Sequence, residues 1–114
     1  MSDPAELPLE VDVATVNTLQ QQSESFVLLD VREENEYEIA RIEGSLLIPM
    51  SQLGVRMDEL ESHQQSRIIV HCHHGLRSMQ VTKALRMRGF ARVQNMTGGI
   101  DDWSLQIDPQ IARY

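Results

Sequence analysis

The 114-residue sequence contains one cysteine, Cys72, so no internal disulfide can brace it. An oxidising compartment would therefore give this thiol no structural use. Aromatic residues make up only 4% of the chain, which leaves aliphatic side chains and methionine to fill the core. Long hydrophobic runs are also missing, and no apolar stretch reaches the ~18 residues that span a bilayer. Positive charge is scarce: 10 Lys and Arg stand against 17 Asp and Glu, for a formal net charge of −7. That balance argues against nucleic acid or an anionic membrane as the main partner, because both need clustered basic side chains. The stretch Met1-Ser2-Asp3-Pro4-Ala5-Glu6 is acidic and polar, unlike a secretory signal. The cytoplasm is the expected compartment.

What is present fits one globular domain, with 41% hydrophobic and 24% charged residues and no internal repeat. Residues 1–8 read as a tail and 9–114 as the domain. Asp12 caps a helix over Val13 to Gln20, with Val13, Val16 and Leu19 or Ala14 facing inward. The continuous apolar run Phe26 to Val31 marks a strand buried on both faces. Glu33 to Ala40 is helical in composition, and Leu46 to Ile48 is a strand stopped by Pro49. Ser51 caps a helix over Gln52 to Ser62, burying Leu53, Met57 and Leu60. Arg67 to His71 is a further strand. Leu76 to Arg88 is a helix with Val81, Ala84, Leu85 and Arg88 at core spacing, ended by Gly89. Ala91 to Met96 is a strand, Gly98-Gly99 a turn, and Ile100 to Gln106 a short helix that packs Trp103. Met57, Met79, Met87 and Met96 read as core or near-core fillers. Alternating strands and helices predict an α/β fold with a mostly parallel central sheet flanked by helices on both faces. The functional crevice of such a sheet lies beyond the carboxyl ends of its strands.

Cys72 falls at one of those ends, in Val70-His71-Cys72-His73-His74-Gly75-Leu76-Arg77-Ser78. A strand, a cysteine and a helix start follow one another within a few residues. The connecting loop must curl tightly, and Gly75 supplies the backbone freedom. Such a loop aims N–H groups from His73 to Ser78 at a common centre, an anion nest at a helix N-terminus. A thiolate there is stabilised, with the helix dipole and Arg77 acting in the same direction and His73 and His74 adding to it if protonated. A cysteine that accepts sulfur must attack as a thiolate and then hold a charged persulfide. The nest serves both needs without a general base. A lone cysteine is more often a small buried hydrophobe. Two histidines, a glycine and an arginine following Cys72 are out of place inside a packed core, however.

These residues resemble the active loop of the rhodanese family: cysteine, two variable residues, glycine, one variable residue, arginine and often serine. The resemblance covers nearly the whole chain. Leu28-Leu29-Asp30-Val31-Arg32 with Glu36-Tyr37 is similar to the family's early motif. Ile42-Glu43-Gly44-Ser45 leading to Ile48-Pro49 is similar to its second. Gly89-Phe90, Val93, Gly98-Gly99 and Trp103 resemble its closing segment. Ala40-Arg41 departs from the Gly-His that many members carry before the isoleucine, a change at the rim. The run from Gly99 to Tyr114 resembles the end of rhodanese domains fused to ubiquitin-like adenylyltransferases, which pass sulfur to small carrier proteins.

The resemblance implies a sulfurtransferase with catalytic Cys72. His73, His74, Gly75, Leu76, Arg77 and Ser78 would hold the substrate sulfur, and no metal or other cofactor would be needed. It implies Asp30 and Arg32 as supports that orient the loop, with a surface ion pair as the alternative. The implied partners are a small sulfur donor such as thiosulfate or a persulfide-bearing protein, and an acceptor thiol or sulfur-carrier protein. Neither nucleic acid nor membrane is expected.

Three other readings compete. A tyrosine-phosphatase-like loop needs five residues between cysteine and arginine, whereas four stand here, His73 to Leu76. His71, Cys72, His73 and His74 are consecutive and so point in alternating directions, which disfavours a closed zinc site. A non-catalytic rhodanese-like interaction module commonly loses the cysteine that this chain retains.

Overall fold

In the computed structural model, which describes residues 7–114, the apolar runs of the sequence lie side by side in one sheet whose pairs are all parallel. Most of the expected N-terminal tail, residues 1–6, is outside the described residues. The elements in chain order are β1 (Glu10–Val11), α1 (Val13–Gln21), β2 (Val27–Asp30), α2 (Glu34–Ile39) and β3 (Leu46–Leu47). A 3₁₀ turn over Met50–Gln52 precedes α3 (Asp58–Glu61), β4 (Ile68–His71), α4 (Leu76–Met87), β5 (Val93–Met96) and α5 (Gly99–Gln106). The strand order is β1-β5-β4-β2-β3. β2 and β4 pair from Val27↔Ile68 to Asp30↔His71, which brings both carboxyl ends to one edge.

Strand alternation divides the core into two layers. Leu29, Val31, Ile68, Val70 and Cys72 face α3 and α4 and pack with Leu60, Val81 and Leu85. Leu28, Ile69 and Met96 face α1 and α5, meeting Val13, Val16, Ile100 and Trp103. Helices therefore cover both faces, as the alternation of elements requires. β1 was not anticipated. Two residues leave no periodicity to read, and they become a strand only because Glu10 and Val11 find Asn95 and Met96 as partners. Just before β1, the Leu7 and Pro8 carbonyls accept from Arg86, and Pro8 accepts from Gln94 as well.

Several expectations need correction. The helix over Gln52 to Ser62 is reduced to a 3₁₀ turn, a run of turns and the four residues of α3. Ser51 caps nothing there; its hydroxyl donates to the Glu33 carboxylate. In α4 the buried stripe is Ser78, Val81, Thr82 and Leu85, while Ala84 and Arg88 are exposed. The hydroxyl of Thr82 is buried without penalty because it donates to the Ser78 carbonyl one turn back. Met96 is buried as expected, but Met87 stands 90% exposed at the end of α4. On α1, Ala14 faces solvent and Leu19 packs against the inner layer.

Candidate active site

β4 ends at His71, and Cys72 opens the loop that leads into α4. Gly75 is the cap of α4 and has φ +113, a left-handed conformation that an L side chain rarely adopts. With the chain turned this way, the Gly75 N–H donates to Cys72 Sγ at 3.1 Å and the Ser78 N–H at 3.4 Å. Ser78 Oγ lies 3.3 Å from the same sulfur. Two of the expected ring of amides thus point at Sγ, and a hydroxyl joins them. The Ser78 hydroxyl also reaches Asn95 Oδ1, and Asn95 Nδ2 donates to the Gly75 carbonyl at 3.3 Å. Ser78 has a single proton, which can serve the amide or a thiolate but not both at once.

The other side of the loop is held by α5. Ile100 N–H donates to the Cys72 carbonyl at 2.9 Å, and Asp101 N–H to the His73 carbonyl at 3.1 Å. This close approach depends on Gly99, which has φ +61; a Cβ there would lie 2.5 Å from each of those carbonyl oxygens. Gly98-Gly99 is therefore more than a turn. It is the seat on which the cysteine loop rests.

Cys72 is only 1% exposed and belongs to the core layer with Leu29, Ile48 and Val81. The expectation that a cysteine in this loop stands apart from the packed core is corrected: it packs there from below. From above, it lines a pocket of about 220 Å³ together with His73, His74, Leu76 and Arg77. Depressions of about 290, 300 and 370 Å³ lie elsewhere on the surface, but none of their linings includes the thiol. Leu76, 81% exposed, forms an apolar lip.

The charges around the rim are already paired. Arg77 donates twice to the Glu36 carboxylate, at 2.6 and 2.9 Å, so its charge beside the sulfur is shared with an acidic partner. The Arg77 hydrogen bonds hold the Glu36 carboxyl down to a pKa of about 2 and raise that of Arg77. Burial first, and His74 second, lower the pKa of His73, so this ring is neutral at pH 7 and adds no positive charge. Its plane stacks on Tyr114 at 3.9 Å between centroids and 7° between planes. His74 is exposed, with Nδ1 3.9 Å from Asp101 Oδ2.

Asp30 and Arg32 are both 0% exposed, which removes the surface ion-pair alternative. Arg32 donates to Asp30 through Nε and Nη2, to the Ala40 carbonyl at 2.6 Å and to the Tyr114 hydroxyl at 3.0 Å. The Tyr114 hydroxyl in turn donates to Glu36 at 2.8 Å. A continuous polar chain therefore runs from Asp30 through Arg32, Tyr114 and Glu36 to Arg77. His71 is buried on the opposite side of the strand from Cys72, with Nε2 4.0 Å from Asp30. Neither of its ring nitrogens has a hydrogen-bond partner among the described residues, and burial lowers its pKa to about 4. Sequence reasoning missed Asn95, Glu36, Gly99 and Tyr114 as parts of the site. Only the paired glycines gave a local signal.

The Rhodanese-like domain family model matches residues 13–106. The chain is 40% identical over 81 residues to the putative sulfur carrier protein YrkF of Bacillus subtilis, covering 71% of this chain and 43% of that one. It is 33% identical over 101 residues to the adenylyltransferase and sulfurtransferase MOCS3-2 of Zea mays, covering 84% of this chain and 21% of that one. The chain spans less than half the length of the curated relatives it matches first. Among solved structures, a rhodanese-related protein from Thermoplasma volcanium superposes with a TM-score of 0.79 at 26% identity, covering 94% of this chain and 100% of that one.

Proposed function

The chain belongs to the rhodanese-like domain family, and we propose that it is a sulfurtransferase whose Cys72 carries sulfane sulfur as a persulfide. The observation that carries this reading is the convergence of Gly75 N–H, Ser78 N–H and Ser78 Oγ on one sulfur atom. The two amides donate to the sulfur at which negative charge develops during attack and transfer. The Cys72 thiolate attacks the sulfane sulfur of a donor, forming a new S–S bond. The donor's own bond to that sulfur breaks, and the electron pair leaves on sulfite or on a thiolate. An acceptor thiolate then attacks the outer sulfur and returns Cys72 to its starting form.

In this scheme His73, His74, Gly75, Leu76, Arg77 and Ser78 wall the sulfur, while Asp30 and Arg32 brace the loop from β2. The domain over residues 9–114 is the catalytic unit. The acceptor is a thiol or a small sulfur-carrier protein, and the cytoplasm, where thiols stay reduced, is the compartment that suits it. Relatives whose names include a sulfur carrier and a sulfurtransferase support this reading. Intact-mass measurement after incubation with thiosulfate, and separately with cysteine persulfide, tests it. Wild type gains one sulfur atom and Cys72→Ser gains none; a wild type that takes sulfur from neither donor overturns the reading.

A further inference from the structure

The cup around Cys72 is poor in available positive charge. Thiosulfate is a dianion, and a site built for it needs a cation free to face its sulfonate oxygens. Arg77 lines the pocket, but both ends of its guanidinium fork are on Glu36. On the far side, Arg113 makes the same kind of two-point contact with Asp101, at 2.9 and 3.2 Å. His74 leans towards that same Asp101. Each basic group at this rim therefore has an acidic neighbour.

The Arg77–Glu36 pair is also held from behind. Glu36 occupies N3 of α2, and its carboxylate accepts from the Glu33 N–H at 3.0 Å, which fixes the side chain at the helix start. Tyr114 adds a third tie, donating to Glu36 while accepting from the buried Arg32. Its ring is stacked on His73, so the hydroxyl cannot swing away without breaking that contact. Glu36 is thus anchored by groups that have nothing to do with Arg77, and an incoming anion has to displace a fixed carboxylate rather than a mobile one.

Resting on the sulfurtransferase reading, we propose that Glu36 and Tyr114 determine donor specificity: they keep Arg77 in an ion pair, and so favour sulfur delivered on a thiol over inorganic thiosulfate. The favoured step is balanced. The Cys72 thiolate attacks the outer sulfur of R–S–SH, the S–S bond of the donor breaks, R–S⁻ leaves with the electron pair, and the proton stays on the transferred sulfur as Cys72–S–SH. A persulfide donor brings at most one negative charge into the cup beyond that of the thiolate. With thiosulfate, the departing group is sulfite, and two negative charges must cross the Glu36 and Asp101 carboxylates both ways.

The test is the ratio of kcat/KM for thiosulfate to kcat/KM for cysteine persulfide, measured by stopped-flow persulfide formation on the full chain. In wild type the persulfide is preferred. Glu36→Gln, which keeps the shape but removes the charge, raises the ratio about 10-fold, chiefly by lowering KM for thiosulfate, since a charge-assisted contact becomes available. Tyr114→Phe keeps the stack on His73, loses both hydroxyl bonds, and moves the ratio the same way by about 3-fold. The double variant Glu36→Gln/Arg77→Gln loses the gain, because the effect runs through the guanidinium. An unchanged ratio in Glu36→Gln, or a gain that survives in the double variant, overturns this inference while persulfide formation in wild type still stands. Absence of sulfur uptake in wild type from both donors overturns the sulfurtransferase reading itself, and this inference with it.

Discussion

A methyl group at residue 99 would stand 2.5 Å from the carbonyl oxygens of both Cys72 and His73, and φ there is +61. Neither obstacle yields cheaply, because the crowded atoms are backbone and each accepts a hydrogen bond from α5. Gly99→Ala should therefore cost about 2–4 kcal/mol of stability, combining left-handed strain with a forced shift of the loop. Urea denaturation measures the stability, and intact-mass sulfur uptake should slow in the same variant; a loss under about 1 kcal/mol would mean that the loop is not seated on this glycine. Cys72, Gly75, Arg77 and Ser78 sit in one short stretch, so their spacing was visible. Glu36 and Tyr114 reach the site from 41 residues before Arg77 and 78 after Glu36. Their pairing is set by how α2 and the chain's last residues fold against the loop, and no local pattern encodes that. Asn95 was hidden for a different reason. It lies in a run correctly read as strand, where a polar residue looks like an edge position rather than a buried tie to Ser78 and Gly75.

Among elements, those with strong apolar signatures formed where expected, and the segment from Met50 to Glu61 did not. Leu53, Met57 and Leu60 have helical spacing and do face the core. The backbone between them nevertheless runs as turns, with only Asp58–Glu61 helical. Hydrophobic spacing fixed which side chains point inward but could not establish a helix through Gly54, the residue with the weakest helix propensity after proline. Gly54 has no unusual φ, and nothing lies within 4 Å of where its Cβ would be. Gly54→Ala should therefore stabilise the protein by about 0.5–1 kcal/mol, by reducing the freedom of the unfolded chain. The shift of the urea midpoint at unchanged m-value reports it; destabilisation would show that the turn needs a conformation closed to alanine. Because this segment lies between β3 and β4, away from the loop's hydrogen bonds, the cysteine's surroundings should not change.

For the molecule as a whole, the buried His71 ties stability to pH. In the unfolded chain its imidazole titrates near 6.5, whereas burial brings it to about 4 in the folded protein. Between those values the unfolded state binds a proton that the folded state refuses, so acid favours unfolding. The full contribution is present above about pH 6.5, declines as pH falls towards 4, and amounts to about 3 kcal/mol across the window. Asp30, with Oδ2 4.0 Å from His71 Nε2, draws the pKa upward, and Arg32, paired to Asp30, pushes it down again. Burial decides the sign. Glu36 acts lower on the scale: its pKa is depressed from 4.5 to about 2, so its stabilisation is complete above 4.5 and is lost only below that. The two windows barely overlap and can be separated by experiment. Urea denaturation of wild type from about pH 7 down to about pH 4.5 should show a steady fall in unfolding free energy. His71→Leu, which fills the same buried space without a titrating group, should lose most of that slope whatever its absolute stability, the remainder coming from His73, whose pKa burial also lowers. A variant that keeps the wild-type slope would place the titrating group elsewhere, and would mean that His71 takes up its proton without leaving the fold.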